Sequence, residues 1–146
     1  ISWINWNLLK EHKDLYHFTK KLIAFRKAYP CLRRLHFFED KKNGNLMPDI
    51  QWFGPFGKKP DWEKGQAIAA LISDHKGNTG HAQHCASLFL IFNASEQQAV
   101  FLVPATHDKP WTIALTSQDV KPAWSKGQAF IEVADRALVV IVSEPA

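Results

Sequence analysis

Asp61 and Glu63 flank Trp62 in the segment GPFGKKPDWEKG (residues 54–65). Paired carboxylates beside an aromatic ring point to glycoside hydrolysis. A retaining mechanism uses carboxyl groups about 5–5.5 Å apart, one of them held neutral by its surroundings. Residues separated by a single position in a lysine-rich loop have no evident means of facing each other across a sugar. A solvated loop anchored by Trp62 is the simpler reading. His81, His84 and Cys85 spell H-x-x-H-C, with His75 nearby. Imidazole and thiolate are zinc ligands, but a closed site takes four, and no fourth ligand or matching second pair is evident. His107 and Asp108 share a short loop (THDKP), and His17 lies near the stripe of a helix. No G-x-S-x-G motif, glycine-rich phosphate loop or catalytic-cysteine signature supplies a nucleophile or a phosphate cradle. No metal or cofactor is expected.

The remaining chemistry is aromatic. Trp3, Trp6, Trp52, Trp62, Trp111 and Trp124 are many for a chain of 146 residues. An indole face can stack on the apolar face of a hexose, but large aromatics also dominate buried area in cores and interfaces. Trp62 and Trp124 sit in loop contexts and are the candidates for glycan contact.

The elements that must carry these residues change character at Pro30. Leu8 to Tyr29 is the one long helical pattern. Leu8, Leu15, Phe18, Leu22, Phe25 and Tyr29 fall in steps of three, four and seven, widened by Leu9, Tyr16, Ile23 and Ala24. That spacing predicts an apolar stripe on a helix. Asn5 or Asn7 is placed to cap it, and Pro30 ends it. After Pro30 come short apolar runs between turn residues. The expected strands are His36–Phe38, Asp49–Phe53, Ala67–Ser73, Ser87–Asn93, Ala99–Val103, Trp111–Thr116, Ala129–Val133 and Ala137–Val142. Turns are expected at Glu39–Asn45, around Asn43-Gly44, and near Pro104, Pro110, Pro122 and Lys126-Gly127; Asp74–Ala86 is expected to be a loop. Seven or eight strands at this spacing predict a mainly β chain: an antiparallel Greek-key β-sandwich preceded by one long amphipathic α-helix.

Composition sets the outer limits. Hydrophobic residues make up 46% and charged residues 22%, which fits a chain with its own core and not a disordered one. The net charge of +4 comes from scattered Lys and Arg pairs and forms no nucleic-acid motif. The longest apolar runs, Leu88–Phe92 and Ala137–Val142, are far below the roughly 20 residues a membrane helix needs. Cys31 and Cys85 alone make no disulfide framework, and reduced thiols in a cytoplasmic protein are expected, with pairing between them left open.

Several segments, in order, then carry a resemblance: ISWINW, FTKKLIAFRKAYPCLRR, FF, DIQWFGPFG, PDW, FNAS, FLVP and the tryptophan-containing strand W-x-I-x-L-T. Together they resemble the C-terminal part of the glycogen debranching enzymes and isoamylases of the α-amylase superfamily, glycoside hydrolase family 13. Asn5 stands where that family usually has aspartate, and Tyr29 where it has histidine. The resemblance implies that residues 1–35 are the last loop and helix of a (β/α)8 barrel, and that residues 36–146 are the β-sandwich called domain C. It implies a parent that hydrolyses α-1,6 branch linkages of glycogen or limit dextrin with retention, using acidic residues on earlier barrel strands. No catalytic residue is therefore assigned in this chain, which is expected to be inactive alone. The expected partner is the barrel of the parent chain, met by Leu15, Phe18, Leu22, Phe25 and Tyr29; glycan is reached through the parent, and neither nucleic acid nor membrane is expected. Separated from that barrel, the stripe is expected to drive self-association or to fold onto the sandwich. A carbohydrate-binding module using loop aromatics and a structural or oligomerisation module without ligand are the alternative functions.

Overall fold

A computed structural model describes residues 3–34, 37–38, 48–73, 86–105, 110–118 and 129–144. The expected turns at 39–45, Pro122 and 126–127, and most of the 74–86 loop, lie outside the described residues, as does Cys85.

The helical arm comes in pieces. Asn5 Oδ1 accepts the Asn7 N–H at 3.1 Å, and the Asn5 carbonyl accepts the Leu8 N–H. Asn5 therefore does the work of a cap, whereas Asn7 makes no side-chain cap bond. Helix α1 (Leu8–Glu11) is separated from α2 (Lys13–Ala28) by His12, which leaves helical torsions at φ −114° and ψ 47°. The expected single helix is thus interrupted after one turn. At the other end Tyr29 is extended (φ −109°, ψ 98°), as a residue before proline prefers. A 3-10 turn, Pro30–Arg33, follows.

The body has seven strands among the described residues. They are β1 (Ile50–Phe53), β2 (Ala67–Ile72), β3 (Ser87–Asn93), β4 (Ala99–Leu102), β5 (Thr112–Thr116), β6 (Phe130–Val133) and β7 (Ala137–Ser143). Five form one sheet in the order β1-β2-β3-β7-β5, and β4 pairs with β6 in a second. Every pairing is antiparallel. From β3 onward each connection changes sheet, so β3 and β7 become neighbours although four elements apart in sequence. This is the antiparallel sandwich that the turn spacing predicts. Of the expected strand His36–Phe38, His36 lies outside the described residues and Phe37 and Phe38 are irregular; the Arg34 guanidinium lies over the Phe38 ring, 4.4 Å from its centroid. Phe38 there serves a cation–π contact, while Phe37 is exposed.

The centre of the large sheet is buried on both faces. Phe89, Ile91, Val139 and Ile141 point toward the second sheet and meet Phe101, Ile131, Val133 and Trp111. Leu88, Val140, Val142 and Ile72 point the other way, toward Cys31 and the helical arm. This explains why β3 and β7 read as unbroken apolar runs instead of alternating. A bulge in β5 divides its side chains between these cores. Ile113 lies opposite Ile141 and Leu115 opposite Val140, with Ala114 as the extra residue. Without it, residues two apart would share one face.

Candidate functional site

The loop after β1 carries the candidate aromatics. The Gly54 N–H donates to the Lys58 carbonyl at 2.8 Å, and the Lys58 N–H donates back to Pro55 at 3.2 Å. Within this turn Phe56 takes the left-handed conformation (φ 57°) and Gly57 follows it (φ 71°). A Cβ at Gly57 would also press on the Leu102 side chain, so the position takes glycine for both torsion and space. The turn thus holds Phe56 outward in solvent.

Asp61 is a turn-former. Its Oδ1 accepts the N–H groups of Glu63 and Lys64, each at 3.1 Å, and its carbonyl accepts that of Gly65 at 3.0 Å. The carboxylate is thereby committed to its own backbone, and both Asp61 and Glu63 are exposed. Both carboxylates thus lie in a solvated turn, with Asp61 shaping it.

Trp62, 68% exposed, sits edge-on to Trp52 of β1 with centroids 5.6 Å apart and planes at 74°. Trp52 leaves β1 on the sheet's outer face, opposite Ala70 in register. Its neighbour Phe53 points inward to Phe89 at 5.8 Å. A flat sugar-stacking platform needs rings side by side in one plane, and this pair is close to perpendicular. Trp124, the other candidate, lies outside the described residues, as do His75, His81, His84, His107 and Asp108. Among the described residues no cluster of His, Cys, Asp and Glu is placed to hold a metal ion. No helix among them is long and apolar enough to cross a membrane.

The helix stripe divides in two. Phe18, Phe25 and Tyr29 pack against the outer-face core of the large sheet. Leu15 and Leu22 are 64% and 39% exposed, and Ile23 beside them is 52% exposed. Of the residues expected on one interface, three therefore face the chain's own sandwich and two face solvent. The sequence misses this because a broad stripe on a helix does not say how many partners share it. Tyr29 adds a polar tie: its hydroxyl donates to Glu144 Oε1 at 3.1 Å, at the end of β7. Burial, then the Glu144 charge and this hydrogen bond, then Cys31 push the phenol from its ordinary 10.0 up to about 12. Cys31 is buried, with its Sγ 3.9 Å from the Ala86 carbonyl oxygen.

Comparison with known proteins fits this arrangement. The glycogen operon protein GlgX homolog of Mycobacterium tuberculosis is 29% identical over 133 residues, which is 82% of this chain and 18% of that protein. An isoamylase from Flavobacterium sp. is 41% identical over 61 residues, 41% of this chain and 8% of its own length. The chain is thus similar to a segment of a glycogen operon protein and of isoamylases. No family model matches it. Among solved structures, a pullulanase from Anoxybacillus sp. complexed with maltotetraose superposes with a TM-score of 0.60 over 96% of this chain at 13% identity, covering 17% of that enzyme. A mutant pullulanase from Paenibacillus barengoltzii with maltotriose gives 0.63 over 97% of this chain at 19% identity, covering 19% of the enzyme. These likenesses establish the β-sandwich fold of the segment. The chain spans less than a fifth of the length of the GlgX relatives it matches.

Proposed function

We propose that this chain is the non-catalytic C-terminal domain of a cytoplasmic debranching enzyme, and that it stabilises the catalytic barrel of that enzyme. The parent hydrolyses α-1,6 branch linkages in glycogen or limit dextrin by a two-carboxylate retaining mechanism. Residues 1–35 form the end of the barrel and residues 36–146 the sandwich. The observation that carries this reading is the second apolar stripe of α2. Leu15, Leu22 and Ile23 remain exposed although the same helix already docks on the sandwich through Phe18 and Phe25. Apolar side chains left exposed together along one helix fit an interaction surface. The likeness to isoamylase and to a glycogen operon protein supplies the kind of partner.

The test is enzymatic and structural together. The full-length parent is incubated with β-limit dextrin, and released linear chains are measured by reducing ends and chromatography. Release by the parent and none by the 146-residue chain is the expected outcome. Leu22→Ser with Ile23→Ser in the parent is expected to lower its inactivation temperature by several degrees. An unchanged inactivation temperature in that variant would remove the stabilising role.

A further inference from the structure

Arg34 closes the 3-10 turn and Asp49 directly precedes β1. Arg34 Nη1 donates to Asp49 Oδ2 at 2.7 Å, and the two side chains are only 7% and 8% exposed. One partner belongs to the helical arm. Three residues upstream of Arg34, the buried Cys31 seats the turn against the sheet. The other partner belongs to the sheet, since the Asp49 carbonyl accepts the N–H of Ser73, at the end of β2, at 3.1 Å. The pair therefore crosses the junction between arm and sandwich.

Two observations indicate what it does there. A buried ion pair loses most of its attraction to desolvation, and apolar replacements of similar volume are often as stable or more so. Arg34 Nε is also buried without a hydrogen-bond partner among the described residues, a further cost. Stability alone does not account for such a pair. Geometry does: a planar guanidinium held between a carboxylate and the face of the Phe38 ring accepts few orientations. The contacts of Phe18, Phe25 and Tyr29 are by contrast mainly apolar and non-directional.

We propose that Arg34 and Asp49 form a positioning lock that fixes how the helical arm seats on the sandwich, and so holds the stripe of Leu15, Leu22 and Ile23 in one orientation. Only the identity of that stripe's partner rests on the domain reading above. The lock itself is tested in the 146-residue chain, without a barrel, so its failure leaves that reading standing.

The experiment is native-state hydrogen exchange on the unmodified chain, on Arg34→Met/Asp49→Leu and on Arg34→Lys. In both variants, amides of Lys13–Ala28 are expected to lose about tenfold or more in protection, while those of β2, β3 and β7 change by less than about threefold. Arg34→Lys keeps the charge but not the planar fork, so it separates geometry from electrostatics. Arm protection that stays within about threefold in both variants would overturn the proposal. So would sheet and arm losing protection together, or a double variant that fails to fold, because the pair would then carry stability and not orientation.

Discussion

Asn93 shows how much one side chain can hold together. It is buried at the end of β3. Its amide nitrogen donates to the carbonyls of Gln97 at 2.8 Å, Val133 at 3.3 Å and Ala134 at 2.8 Å. Its Oδ1 accepts both the N–H and the hydroxyl of Ser95. One residue thus ties the β3–β4 connection to the β6–β7 connection, where Arg136 sits in the left-handed region (φ 46°) and donates its N–H to Ser95. This gives the FNAS segment a physical reason. Asn93→Ala removes the donor to the buried Val133 carbonyl together with the bonds that join the two connections, and is expected to cost about 1–3 kcal/mol in urea unfolding. Tyr29 gives a second residue-level expectation, in pH. Its phenol is raised to about 12 in the fold against about 10 unfolded. Well below pH 10 both states hold the proton and the stabilisation is complete. Between about pH 10 and 12 the unfolded chain binds fewer protons than the native one, so stability falls as pH rises. The difference in urea midpoint between the unmodified chain and Tyr29→Phe is expected to stay flat well below pH 10 and then to shrink. A constant difference through pH 11.5 would contradict this linkage.

At the scale of elements, the two sides of α2 make opposite predictions. Phe25 packs on Tyr29 (centroids 4.5 Å apart) and on the outer-face core. Phe25→Ala is expected to destabilise the chain by about 1–3 kcal/mol, less than a fully buried ring because it is only partly buried. Leu15→Ser touches a side that meets solvent, and its effect on the isolated chain is expected to stay within about 0.5 kcal/mol. Thermal melts of the two variants check the contrast. Much of this architecture was legible in the sequence. Pro30 ended the helix, and the turn residues bounded seven strands close to where they occur. The unbroken runs of β3 and β7 already carried the fact that both faces are covered. What was not legible came from side chains with more than one use. The Phe37-Phe38 pair has the composition of a strand, but Phe38 lies beneath Arg34. Ile113 and Leu115 alternate as if on one face until the bulge at Ala114 separates them. The helix stripe was visible, but its division between an inner and an outer partner depends on where the sheet lies. For the site, the sequence singled out Trp62 in its loop, whereas its pairing with Trp52 needed the β1 register and the intervening turn.

For the whole molecule, the question is whether the exposed aromatics meet sugar or protein. Trp52, Phe56 and Trp62 are exposed on or just after β1, and Phe92 emerges on the outer face of the same sheet, opposite Ile68 and Leu138 in register. A glycan platform and a docking surface both use such side chains, but they differ in geometry. Stacking on successive glucose units favours parallel rings, while the 74° angle between Trp52 and Trp62 makes a ridge with one ring against the edge of the other. Such a ridge fits into a complementary groove of protein better than along a sugar chain. In native gels containing glycogen, the 146-residue chain is therefore expected to migrate with the same mobility as in gels without it, and Trp62→Ala is expected to leave that mobility unchanged. Within the debranching parent proposed above, Trp62→Ala is expected to lower the inactivation temperature while KM for limit dextrin stays within about twofold, since lost packing and lost substrate binding separate in these two readouts. Retardation of the unmodified chain by glycogen, abolished by Trp62→Ala, would instead make this ridge a carbohydrate site.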